Sequence, residues 1–272
     1  MPAAGNASRW VAEMDVPYKL HKGDCLEYMR SMKTGSVDCI VTSPPFNLMS
    51  QYSNKSQMKQ SIPEKRLSAW YFDNMPEKEY QLWQIEILKE MTRVCNGVVF
   101  YNHQVRYAWG RKGEWYHPVH WLNGFTVWCE IIWNRGKGIS GAKRPVLAEQ
   151  RIYMIGKPKT YHNIGLTNVW NIPEDRSTDH VCPLPIEIYK NCISMVTNEG
   201  DVVFDPFMGT GNGAIASLEL GRKFVGCEID DEYFHATQHR LHLTAFGAGG
   251  LAVNPLQSNL FAEVPPATSG GK

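Results

Sequence analysis

No two cysteines in this chain stand in a C-x-x-C spacing, and the total of seven is odd. Disulfide frameworks and zinc knuckles need paired or clustered thiols, so neither is expected, and no metal site is predicted. Cys39 in "VDCIV" and Cys129 in "TVWCEII" sit inside apolar runs, as reduced core cysteines do. No apolar run approaches the length of a bilayer crossing, and the first residues lack the apolar stretch of a secretion signal. The formal net charge is only +1, so no global positive field announces a polyanionic partner. A basic face balanced by acids elsewhere stays compatible with that figure. No internal repeat is visible. With 272 residues, 43% of them hydrophobic, the chain can bury one sizeable core with at most a small appendage. The expectation is a cytoplasmic protein with no membrane span.

What is present is a regular alternation. Apolar runs at 37–41, 97–101, 126–133, 151–155, 201–205 and 223–229 predict buried strands, and segments 25–33, 77–95, 185–197, 212–221 and 231–243 predict helices. The helix at 77–95 is well punctuated, with Pro76 and acids in front and Arg93 and Gly97 behind. Strands alternating with helices imply an α/β domain, its mostly parallel sheet covered on both faces. The small and polar residues 1–15 predict a frayed start, and the Gly/Pro/Ser-rich 246–272 a flexible tail, which leaves 16–245 as the folded domain.

Two stretches break the rhythm. "TSPPFNL" (42–48) ends an apolar strand in a rigid corner, since two prolines fix φ and neither extends a strand nor starts a helix cleanly. It runs into a long aperiodic connection, 47–75, that carries Lys55, Lys59, Lys65 and Arg66 among many amides. Loops of that length inside compact domains are usually functional or disordered. The second stretch, "DVVFDPFMGTGNGAIASLELGRKFVGCEID", is a strand, a Gly-rich turn, a helix, a strand and an acid. Gly209, Gly211 and Gly213 permit close approach of a ligand and a tight entry into the helix. Glu228, ending the second strand, is placed to accept from ribose hydroxyls. Any adenosine-containing ligand suits this pattern. The G-T-G-N-G spacing and the acid of Asp205-Pro206-Phe207 fit a diphosphate cradle poorly. An acid there can instead meet the sulfonium and ammonium of S-adenosylmethionine, which the loop favours over nicotinamide.

In order along the chain, "HKGDCLEYMRSMKTGSVDCIVTSPPF", "IIW" (131–133), "NVWNIP…DHVCPLPIEIYKNCISMVTNEGDVVFDPF" and "DPFMGTG" resemble the bacterial and phage amino-group DNA methyltransferases of the beta permutation. In that family the catalytic [D/N/S]-P-P-[Y/F/W] motif precedes the cofactor glycine loop. The resemblance spans about residues 18–240. It implies a Rossmann-like methyltransferase fold with a seven-stranded sheet, one strand antiparallel, and S-adenosyl-L-methionine as cofactor. By matching positions, Asp205, Pro206, Phe207, Gly209 and Gly211 would line the cofactor loop, Glu228 would meet the ribose, and Asp24 the adenine amino group, with Cys25 beside it. Asp24 could alternatively cap the helix that starts at Cys25. His180, Leu184 and Pro185 would shape the methionine end of the pocket. Ser43, with a backbone carbonyl from Pro44–Pro45, would accept the two hydrogens of an exocyclic base amine and localise its lone pair. Phe46 would stack on the flipped base.

The corner does not name the base. Serine at its first position is commoner among cytosine-N4 enzymes, whereas Asn47-Leu48 after the aromatic residue is usual in adenine-N6 enzymes, and adenine is placed first. Duplex DNA is the expected partner, met by Asn47, Lys55, Lys59 and Arg66 in the loop 47–75, and by Arg135, Lys137, Lys143 and Arg144 in 134–150. A homodimer is expected, with or without a companion restriction endonuclease, in a cytoplasmic, nucleoid-associated setting. RNA or protein methylation and a non-catalytic DNA-binding subunit are the competing readings; motif order disfavours the former and the intact motifs the latter.

Overall fold

The structure, a computed structural model, describes residues 16–48, 75–107, 115–136, 147–174 and 183–246. The expected site residues Lys55, Lys59, Arg66, Lys137, Lys143, Arg144 and His180 lie outside the described residues, as do the segments 1–15 and 247–272. Along the chain run β1 (Tyr18–Lys22), β2 (Val37–Thr42), β3 (Cys95–His103), β4 (Arg106–Tyr107), β5 (Trp115–Tyr116), β6 (Val127–Asn134), β7 (Glu149–Ile155), β8 (Val169–Asn171), β9 (Val202–Asp205) and β10 (Lys223–Glu228). The helices are α1 (Cys25–Ser31), α2 (Glu77–Val94), α3 (Val119–Leu122), α4 (Ile186–Val196), α5 (Asn212–Glu219) and α6 (Asp231–Phe246).

Among the described residues the main sheet has eight strands, in the order β1-β10-β9-β2-β3-β7-β6-β8. β4 and β5 form a separate two-stranded ribbon. Only β7 runs against its neighbours in the main sheet, pairing antiparallel with both β3 and β6. The expected strand total of seven is therefore corrected to eight. The addition is β8, a three-residue strand on the outer side of β6, too short for any side-chain period to announce it. The expected antiparallel strand is present.

Alternation along each strand divides the core into two layers. Cys39 and Val41 of β2 face a layer completed by Ile188, Cys192 and Ile193 of α4, Ala214 and Ile215 of α5 and Leu241 of α6. Ile40 of the same strand faces the other layer, with Leu26 and Met29 of α1, Ile87, Leu88 and Met91 of α2 and Trp121 of α3. Each buried Ile, Leu or Met side chain contributes roughly 1.5–3 kcal/mol over an exposed one, so both helix layers are held mainly by apolar burial. Arg93, in the last turn of α2, adds a directional tie by donating to the carbonyls of Met29 (2.6 Å) and Met32 (2.9 Å) at the end of α1. Among the described residues, no helix is long and apolar enough to cross a membrane.

The register between β2 and β3 shifts between Val37 and Cys39, and Gly97 sits opposite that irregularity. A Cβ built at Gly97 would lie 2.2 Å from the Asp38 carbonyl oxygen, a backbone atom that cannot swing aside. Gly97→Ala is expected to cost about 1–3 kcal/mol by forcing the two strands apart. A urea midpoint unchanged from wild type would contradict that account of the position.

Candidate active site

Strands β1, β10, β9 and β2 are parallel neighbours, so their carboxyl ends share one rim of the sheet. From β9 the chain crosses through α5 to β10 on one side, and from β2 through α2 to β3 on the other. The loops after β9 and β2 thus diverge and leave a crevice between them, the usual ligand position in open α/β sheets. Gly23–Cys25, Ser43–Phe46, Pro206–Thr210 and Glu228–Tyr233 line that crevice, with Leu48, Met75, Trp83, Leu184 and Tyr189. Its volume is about 610 Å³, ample for a nucleoside-sized ligand.

The glycine loop is shaped by its surroundings. Gly209 and Gly211 have φ of 53° and 83°, which side-chain-bearing residues rarely adopt. At Gly211, the N-cap of α5, an added Cβ would also lie 2.7 Å from Thr237 Cγ2. The Gly209 amide donates to Glu228 Oε2 (2.8 Å), and the Gly209 carbonyl accepts from Thr237 Oγ1 (2.8 Å). Glu228 Oε1 accepts from the amides of Ile229 (3.0 Å) and Asp230 (2.9 Å). Burial raises the Glu228 pKa, and these three amides pull it back. Asp24 caps α1 through Oδ1 alone, at 2.9 Å from the amides of both Leu26 and Glu27. Capping and a ligand-facing role are therefore compatible, because the second oxygen is not used by the helix. Cys25 is buried at the cleft wall, and desolvation holds its thiol protonated. Leu184 lines the cleft, while Pro185 is the N-cap of α4.

On the opposite wall, Ser43 Oγ donates to Asn102 Oδ1 at 3.0 Å. The Pro45 carbonyl is turned into the protein, where it accepts from Tyr80 (2.7 Å) and Gln84 (3.4 Å). Among the described residues none donates to the Pro44 carbonyl, which leaves it as the backbone acceptor of the corner. Phe46 packs on His103, their ring centroids 4.6 Å apart. Trp83 and Phe207 meet edge to face at 5.8 Å and add an aromatic wall. The arrangement offers a carboxylate and glycine turn at one end, and neutral acceptors between aromatic faces at the other. Among the described residues no cluster of three or more His, Cys, Asp or Glu could hold a metal ion.

A family model described as DNA methylase matches residues 37–239. The chain belongs to this N6/N4 DNA methylase family. It is accordingly an S-adenosylmethionine-dependent DNA methyltransferase. Type II methyltransferase M.XycI of Xanthomonas campestris pv. cyanopsidis is 25% identical over 82% of this chain and 87% of its own length. DNA adenine methyltransferase YhdJ of Escherichia coli K12 is 22% identical, over 82% of each. Among solved structures, the cytosine-N4-specific PvuII DNA methyltransferase superposes with a TM-score of 0.65 at 18% identity, covering 82% of this chain and 86% of that one. The DNA modification methylase TTHA0409 of Thermus thermophilus, complexed with S-adenosyl-L-methionine, gives 0.61 at 21% identity, with 84% and 94% covered.

Within this DNA methylase, three expected site residues play other parts. Asp205 was expected to meet the cofactor's positive charge, yet its carboxylate is fully buried beneath the cleft. Oδ1 accepts from Thr42 Oγ1 (2.7 Å) and the Phe207 amide (3.0 Å), and Oδ2 accepts from Tyr189 (2.7 Å). Asn47 was expected at the DNA, but it is fully buried. With φ of 56°, it clasps the far end of the long connection, donating to the Met75 carbonyl (2.9 Å) and accepting from the Met75 amide (2.7 Å). Arg135 is likewise turned inward, onto Glu174 (3.1 Å) and the Leu147 carbonyl (3.1 Å).

Other contributors carried no signal in the linear sequence. Trp121 donates to the Tyr101 hydroxyl (2.9 Å), which donates to Gln84 Oε1 (2.8 Å). Gln84 Nε2 then donates to the Tyr80 hydroxyl (2.7 Å), and Tyr80 to the Pro45 carbonyl. Burial together with the nearby Arg106 charge keeps His103 neutral, and its Nδ1 donates to the Gln104 carbonyl (2.8 Å). Its Nε2, 2.7 Å from the same Tyr80 hydroxyl, shares that single hydrogen with the Pro45 carbonyl. Arg106 itself is enclosed, paired twice with Glu77 (2.8 and 2.7 Å) and lying 4.8 Å over the Tyr80 ring. The corner is thus braced from behind by a directed chain of donors.

Burial lifts the Asp205 carboxyl from the usual 3.8 to about 6, against the pull of its donors. The folded protein therefore holds this proton up to a higher pH than the unfolded chain does. Its contribution to stability is present below about pH 4 and lost as pH rises through about 6. Wild type should gain stability relative to Asp205→Asn as pH is lowered from about 7 to about 4.5, read as the difference in urea midpoints. A pH-independent difference would contradict the assignment.

Proposed function

We propose that this enzyme methylates the exocyclic amino group of a base flipped out of duplex DNA. The observation that carries the reading is the juxtaposition of the Ser43-Pro44 acceptor corner with the Gly209–Glu228 cradle across one cleft. The cradle fits S-adenosylmethionine: Asp24, Cys25, Leu184, Phe207, Gly209 and Glu228 border one space, and the positive φ of Gly209 keeps a side chain out of it. When bound, the cofactor supplies a methyl group on a sulfonium. Ser43 Oγ and the Pro44 carbonyl accept the hydrogens of the amine and localise its lone pair, which in the free base is delocalised into the ring. Phe46, Trp83 and Phe207 present apolar faces for the flipped base and exclude water from the nitrogen.

Adenine N6 is the first reading of the target, on the order Phe46-Asn47-Leu48 and the adenine activity in the name of the relative YhdJ. Cytosine N4 is the second, favoured by serine at position 43. We also infer a cytoplasmic enzyme that acts as a pair of identical copies, either beside a restriction endonuclease in a restriction–modification setting or as an orphan enzyme. Exposed Trp128, Tyr161, Leu166 and Val169 near the outer edge of the sheet support pairing of copies, since large apolar side chains grouped there favour association. Light scattering that finds a monomer both free and on DNA would sink the dimer.

Labelled S-adenosylmethionine offered with duplex DNA, RNA and protein tests the whole reading. Label is expected only in DNA, recovered by nucleoside mass spectrometry as N6-methyladenine; N4-methylcytosine would select the second reading. Ser43→Ala is expected to slow transfer by roughly 100-fold or more, as loss of one preorganised hydrogen-bonding group does. Unchanged transfer in that variant, or label in protein, overturns the mechanism.

A further inference from the structure

At the end of β3, Asn102 is 1% exposed and touches the corner from behind. Its Oδ1 lies 3.0 Å from Ser43 Oγ, and its Nδ2 donates to the Arg151 carbonyl of the neighbouring β7 at 3.3 Å. The Arg151 carbonyl can only accept, so the amide NH₂ must lie on that side and the amide oxygen must face Ser43. That oxygen cannot donate either. The hydroxyl hydrogen of Ser43 is therefore engaged with Asn102, and only oxygen lone pairs remain for the cleft.

We infer that Asn102 is a positioning residue that fixes Ser43 as a pure acceptor and so makes the corner selective for amino-bearing bases. The inference rests on the amino-methylation reading and deepens it. A serine hydroxyl free to rotate presents a hydrogen as readily as a lone pair, and would satisfy the carbonyl of a keto base as well as an amine. Held by Asn102, Ser43 matches the N–H of adenine or cytosine. Set against the carbonyl of thymine or guanine, two acceptors would face each other in a desolvated site. Neither side chain of the pair titrates, so this polarity is the same at every pH at which the protein is folded.

A double-mutant cycle tests it, with initial rates on duplex DNA at saturating S-adenosylmethionine for wild type, Ser43→Ala, Asn102→Ala and the double variant. Asn102→Ala is expected to lower kcat roughly 10- to 100-fold while KM for the cofactor stays at the wild-type value. In the Ser43→Ala background the same change should cost no more than about threefold, because a residue acting through Ser43 has nothing left to act on. Asn102→Asp, whose carboxyl oxygen still accepts from Ser43, should recover most of the rate. Asn102→Leu, closer in volume, takes the place of alanine in the cycle if the alanine variant does not fold. Full additivity, or an aspartate variant as slow as the apolar one, overturns the inference while leaving amino-methylation intact. Wild-type protein that transfers no methyl to DNA overturns both.

Discussion

The site depends on one buried contact, the 2.7 Å hydrogen bond from Thr42 to Asp205 across 163 residues of chain. Thr42 is the last residue of β2 and Asp205 the last of β9, and each leads directly into one wall of the cleft. The carboxylate is dehydrated, at a cost visible in its raised pKa, and three donors offset that cost. One of these is Tyr189 of α4, so a single group aligns two strand ends and a helix. The sheet sets the strands side by side; Asp205 sets where their loops begin.

Behind each wall lies a different kind of support. The glycine wall is held by backbone: positive φ at Gly209 and Gly211, and amides that fill Glu228. The corner is held by side chains, with Trp121, Tyr101, Gln84 and Tyr80 in sequence ending on the Pro45 carbonyl. The two prolines remove the amide donors that would compete for these oxygens, and the chain of donors then decides which carbonyl is turned inward. A neutral acceptor site for an amine is consistent with the absence of a titrating side chain at Ser43 and Asn102. In the proposed mechanism rigidity takes the place of a general base, since positioning of an amine needs fixed lone pairs more than proton affinity.

Much of this was legible in the residue order. The strand runs and the helices at 25–33, 77–95, 185–197, 212–221 and 231–243 match α1, α2, α4, α5 and α6 to within a few residues at their ends. They match because long apolar periods carry strong local signals. Three-residue β8 and four-residue α3 carry no period and were not expected. Among site residues, Ser43, Phe46, Phe207, Gly209, Glu228, Asp24 and Leu184 do meet at one cleft. Asp205, Asn47 and Arg135 were misplaced for a common reason: a polar residue in a motif or loop does not disclose whether it faces the ligand or the protein. Burial decides that, and burial is a property of the assembled fold.

By itself the sequence determined the alternation of strands and helices, the rigid Pro-Pro corner, the turn that only glycine allows, and the order in which these come along the chain. Each follows from local stereochemistry. The tertiary structure alone decided that Asp205 braces rather than binds, that Asn47 clasps Met75, and that Asn102 holds the hydrogen of Ser43. These assignments need partners 28 to 163 residues away, and parallel pairing of β2 with β9 and β3 brings those of Asp205 and Asn102 within hydrogen-bonding reach in a way that no local pattern encodes.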